Sequence, residues 1–154
     1  MDNNDVLRKL RFILNYRDKK TAEIFAKGQL TLSTDDIDKL LKKEDDPEFV
    51  ACTDVQLAHF LNGLIVEKRG PKEGEPPVAE TNLNNNVILR KLKIALDYKN
   101  EDILETLEKA GAPISKHELS AFFRRVDHKH YRECKDQFLR SFLKGLQLIL
   151  RDVK

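Results

Sequence analysis

At 154 residues, with 40% apolar and 35% charged side chains, the chain has room for one ordinary domain or two very small ones. That balance excludes a disordered or membrane-embedded polypeptide, and a net charge of +2 supplies no overall basic field for nucleic acid. The charge is uneven, however: residues 1–82 hold 13 Lys/Arg against 16 Asp/Glu and residues 83–154 hold 15 against 10, so the second half is the one suited to an acidic partner.

The opening, MDNNDVLRKL, has no apolar run before a small-residue cleavage site, which argues against a secretory signal. Leu7, Leu10, Ile13 and Leu14 then recur at three- and four-residue spacing and predict a first amphipathic helix. A short second helix is expected from Asp18 to about Gly28. Ser33-Thr-Asp-Asp36 fits a capping box opening a third helix, with Asp36 the weaker match to the usual Glu or Gln. After a polar loop, a long fourth helix is expected to begin near Asp54. Residues 69–84, rich in Gly, Pro and Glu without apolar period, read as a flexible linker. Beyond it the same four helices are expected again: Leu89, Leu92 and Leu96 mark the first, Asn100 to Gly111 bounds the second, Ser115-Lys-His-Glu118 opens the third, and Asp136 starts the fourth. No run alternates as a strand would.

This recurrence is a duplication. Shifted by 82 positions, residues 3–66 face 85–148 without a gap and 19 of 64 positions are identical; unrelated chains would share roughly one in sixteen. NNDVLRKLRFILNYRD faces NNVILRKLKIALDYKN, and Cys52-Thr53-Asp54 faces Cys134-Lys135-Asp136. The expected fold is all-α, a tandem duplication of a four-helix module: copy one at 1–68, linker at 69–84, copy two at 85–154. Modules this small bury little apolar surface alone, so the copies are expected to pack as a pseudo-twofold helical body. Gly63 and Gly145, equivalent residues inside the fourth helices, are expected at a close crossing between the copies, since mid-helix Gly costs about 1 kcal/mol relative to Ala. An inherited bend, or an early helix stop at Gly63, would explain them equally simply.

Four segments carry a resemblance. The NNDVLRKLR opening, LLKKEDDPEF at 40–49, FLNGLIVEKRG at 60–70 and CKDQFLRSFLKGL at 134–146 resemble the bacterial YehS-like proteins, which are of similar length and built from two copies. That resemblance implies the duplicated fold, and it carries no activity and no catalytic or binding residues.

The remaining constellations point weakly. Helices two and three of copy two resemble a helix-turn-helix, which would set Lys116, His117 and Ser120 near base edges and Arg124 and Arg125 near phosphates, while Lys129, His130 and Arg132 extend the basic character with Tyr131 interleaved. Copy one places Asp35, Asp36 and Asp38 there and would repel them. His128, His130 and Cys134 are potential metal ligands within seven residues, but copy one lacks the histidines and no paired Cys-x-x-Cys accompanies them, so no metal or cofactor is expected. Cys52 and Cys134 are expected as small, half-buried reduced thiols packing against the fourth helix rather than as nucleophiles. Arg8-Lys9 and Arg90-Lys91 read as the solvated side of the first helix, with a grip on a shared partner as the sharper alternative. The expectation is a non-enzymatic cytoplasmic binding or adaptor protein with a protein partner and no membrane association. The alternative is a nucleic-acid-binding regulator acting through copy two.

Overall fold

The structure is a computed structural model, which describes residues 1–152. Among those residues all regular structure is helical. Copy one contributes α1 (Asn3–Ile13), α2 (Asp18–Lys27), α3 (Thr34–Leu40) and α4 (Asp54–Arg69). Copy two contributes α5 (Asn85–Leu96), α6 (Asn100–Lys109), α7 (Lys116–Phe122) and α8 (Asp136–Leu150). The chain divides into two compact units, Met1–Leu83 and a second that begins at Asn84.

Several of the helices start where side chains can satisfy otherwise orphaned amides. Asp2 caps α1 reciprocally with Asp5, Ser33 caps α3 with Asp36, and Thr53 caps α4 with Gln56. Asp36 thus closes its box fully, with a carboxylate oxygen 3.0 Å from the Ser33 amide nitrogen. Ser115 and Glu118 do the same for α7. The ends are set by backbone turns into positive φ at Asn15 and Asp97 after the first helix of each copy, and at Gln29 and Gly111 after the second. Asn and Asp tolerate that region, and Gly enters it freely. Gln29 enters it at φ 73° without either advantage.

In copy one, α4 packs chiefly against α2, and Leu7, Leu10, Ile24, Phe25, Ile37, Leu57, Phe60, Leu61 and Leu64 form the core. The Phe25 and Phe60 rings meet tilted, 5.2 Å apart. In copy two, α8 packs on α6 in the same way, but Leu107 stands where copy one has Phe25. An aromatic pair reappears elsewhere, as Phe122 and Phe138 at 5.4 Å, in place of Leu40 and Gln56. The duplicated cores therefore share a backbone plan while distributing their large side chains differently, as packed interiors tolerate when total volume is kept.

Both mid-helix glycines lie at close helix crossings, but within each copy. A Cβ at Gly63 would run into the Ile24 carbonyl oxygen of α2, and one at Gly145 into the Thr106 carbonyl oxygen of α6. The expectation that they serve contact between the copies is corrected accordingly. Helix α4 also continues past Gly63 to Arg69. The physical reason is that α2 and α4, or α6 and α8, approach with backbone against backbone, where no side chain fits. The α2–α4 crossing is tightened further by His59 Nδ1, 2.6 Å from the Gly28 carbonyl oxygen, and by Lys20 and Lys27 on Glu67 at 3.0 and 2.5 Å.

Between α4 and α5, residues 70–84 form no helix or strand. Their last part is held nonetheless: Ala79 is buried, and the Leu83 amide donates to Asp54 Oδ2 at 2.9 Å.

Candidate functional site: a groove repeated in both copies

The Asn-Asn pair that opens each first helix builds a polar clasp. Asn4, buried, donates from Nδ2 to the Leu40 and Val50 carbonyls (2.9 and 2.8 Å) and accepts from the Cys52 amide at Oδ1 (2.9 Å). Asn86 repeats this with Phe122, Arg132 and Cys134 at 3.0, 2.8 and 2.9 Å. Asn3 donates to the Cys52 carbonyl and to Asp54 Oδ1, and Asn85 to the Cys134 carbonyl and Asp136 Oδ1. The Asn85 amide holds the Asp136 carboxyl below the usual carboxylate range. One amide side chain can satisfy three backbone groups because it carries donors and an acceptor on one rigid plane. The loop between the third and fourth helices is thereby fixed against the start of the first.

That fixed loop and the first helix bound a surface groove in each copy. In copy one it is lined by Asp2, Asp5, Arg8, Lys9, Lys43, Glu44, Asp45 and Phe49. In copy two the lining includes Asn84, Val87, Arg90, Phe123, Arg124, Arg125, Val126, Asp127 and Tyr131. Most of these are equivalent positions under the 82-residue shift. Four carboxylates face three cations in the first groove; three guanidinium groups face the single carboxylate of Asp127 in the second.

The difference is sharpest at one arginine that both copies keep. In copy one Arg8 is bound by Asp5, three residues earlier, and also donates to the carbonyls of Leu41 and Lys42 at the end of α3. In copy two Val87 replaces Asp5, and the exposed Arg90 has no ion-pair or hydrogen-bond partner among the described residues. Beside it Arg124 Nε is buried without an acceptor, Arg125 reaches Asp127 at 3.4 Å, and Lys93 sits 4.7 Å over the Phe123 ring.

The residues expected to read nucleic acid are only partly brought together. Arg124 and Arg125 line the groove. Lys116 and His117 are exposed at the opposite end of α7, Ser120 is half-buried, and Lys129 is exposed on the loop. Arg132 is exposed too, while its backbone amide and carbonyl serve the fold through Ala121 and Asn86. Helix α7 has seven residues, a length of about 10 Å, and offers a major groove little to read. Phe123 and the four asparagines were not singled out from sequence as site residues, and Arg90 only as half of a basic pair on the first helix of copy two. Their signal was available in the identity of Asn3-Asn4 with Asn85-Asn86, polar residues repeated at the head of an amphipathic helix.

Both cysteines are buried, and burial first, with a neighbouring aspartate second, pushes each thiol up to about 12. A thiol so placed is a protonated packing group at neutral pH. His128 and His130 lie with ring centres 5.6 Å apart, the His130 amide donating to His128 Nδ1 at 3.0 Å. Among the described residues they join no group of three His, Cys, Asp or Glu able to hold a metal ion. No helix among them is long and apolar enough to cross a membrane.

Comparison with known proteins finds the same duplication. A family described as "Protein of unknown function (DUF1456)" matches residues 3–70 and again 85–152. The Escherichia coli (strain K12) protein described as "Uncharacterized protein YehS" is 44% identical over 147 residues, covering 95% of this chain and 94% of its own. No solved structure matches.

Proposed function

This chain belongs to the DUF1456 family of proteins of unknown function, and from that premise we propose that it is a non-enzymatic cytoplasmic binding protein whose two grooves receive its partner. The observation that carries this reading is the pair of grooves. Each copy builds one at the same place from the same clasp, and the two linings have diverged in charge. A duplicated scaffold with different walls suits recognition of two features of one partner, because linking two weak sites raises overall affinity without new contacts. The mixed charges of the first groove suit a polypeptide segment carrying both signs.

The reading is tested by purifying tagged protein from its host beside two groove variants, Lys9→Glu with Lys43→Glu, and Arg125→Glu. A partner held by the unaltered chain is expected to be lost from one or both variants. A partner retained equally by all three would remove the grooves from the account. A reproducible catalytic activity abolished by one side chain would overturn the non-enzymatic assignment. A second reading, nucleic-acid binding through copy two, is favoured by the arginine–aromatic lining of its groove.

A further inference from the structure

We propose that the copy-two groove binds a single-stranded segment of nucleic acid, its phosphates on Arg90, Arg124 and Arg125 and a base against Tyr131 and Val126. This rests on reading the grooves as the binding elements and names the ligand class for one of them.

The molecule contains its own control. The two grooves share a scaffold, and three carboxylates of the first are absent from the second: Asp2, Asp5 and Glu44 become Asn84, Val87 and Val126. Each loss removes negative charge that would oppose a phosphate. Two also place an apolar side chain in the lining. Val126 is 75% exposed, an apolar surface that nothing in the fold requires. Meanwhile Arg8's intrahelical carboxylate disappears from beneath Arg90, and Lys42 and Lys43 become Arg124 and Arg125, which present a planar fork to phosphate oxygens.

Arginines that share a concave surface with an aromatic ring suit a strand whose bases are unstacked, since phosphates and π-faces are then offered together. Duplex DNA offers its phosphates on a convex surface and keeps its bases stacked, so the ring would have no partner. The short α7, with Lys116 and His117 at its far end, adds no major-groove reader. Acidic side chains alone would satisfy the arginines but leave Tyr131 and the exposed Val126 without an apolar or planar surface to cover them, so poly-glutamate is the discriminating competitor.

The test is fluorescence anisotropy of a labelled mixed-sequence 12-mer, as single-stranded DNA and as RNA, with the full-length protein. Three phosphate contacts predict roughly a twenty-fold loss of affinity between 50 and 200 mM salt, from the single-strand slope of about −0.7 per contact. Val87→Asp with Val126→Glu, which restores carboxylates of copy one, is expected to weaken binding at least tenfold while far-ultraviolet circular dichroism is unchanged. Lys116→Ala with His117→Ala is expected to leave it intact, and Tyr131→Leu to weaken it without altering the salt slope. The proposal is overturned if neither strand binds at 50 mM salt, if duplex competes as well as single strand, if poly-glutamate displaces the oligomer equally well, or if the Lys116/His117 variant is the one that fails. Failure here alongside partner loss in the Arg125→Glu variant would leave the broader binding role standing.

Discussion

Replacing Asn86 by alanine tests the clasp most directly. The side chain makes three hydrogen bonds, and the substitution leaves the Phe122 and Arg132 carbonyls and the Cys134 amide without their partner. Two of those bonds lie in buried surroundings, where an unsatisfied backbone group costs about 1–3 kcal/mol; the third is part-buried and open to replacement by water. The expected loss is about 3–5 kcal/mol, against a total stability of about 5–15 kcal/mol for a domain. With a urea m-value of about 1–3 kcal/mol/M, the midpoint should fall by roughly 2 M. Amide exchange at Cys134 should quicken markedly, because that N–H loses its acceptor, while exchange in the middle of α5 should respond only through the global loss. Asn4→Ala should act likewise on Cys52. A loss under about 1 kcal/mol, or unchanged protection at Cys134, would refute the claim that the asparagines fix the loops.

Other expectations follow from the same geometry. Gly63→Ala or Gly145→Ala should destabilise by about 2–3 kcal/mol in urea titration, because overpacking against a carbonyl outweighs the helix-propensity gain of about 1 kcal/mol. A stabilised variant would show that the crossing can open freely. Gln29→Gly should stabilise by about 0.5–1 kcal/mol and Gly111→Gln should destabilise by a similar amount, because both positions hold positive φ. Cys52 and Cys134 should react with a thiol reagent at pH 8 only as fast as the fold opens, and rapidly in urea. Their burial also makes stability pH-dependent: the folded-state pKa lies above the unfolded value, so the contribution is complete below about pH 8.5 and is lost as pH rises toward about 12. Serine at both positions should flatten that alkaline loss.

Periodicity and capping residues, which depend on neighbours within one or two turns, together with the ungapped self-match, were enough to establish the eight helices of the described residues in two equivalent sets. Burial of the cysteines was legible only in part: small apolar residues beside a helix start rarely stay in water, so half-burial was expected, and the folded chain buries both. The partners of Gly63 and Gly145 were not legible. A mid-helix glycine declares that something comes close, while Ile24 and Thr106, the residues that come close, lie roughly 40 positions away in sequence. The four asparagines show the same division: their repetition was visible, but hydrogen bonds spanning 36 to 51 residues exist only once the chain has closed on itself. Arg90 is the clearest case. Beside Lys91 it reads first as a solvated charge, with a grip on a partner as the alternative, and only the folded backbone sets it against Arg124, Arg125 and Tyr131 in a groove whose counterpart in copy one holds four carboxylates.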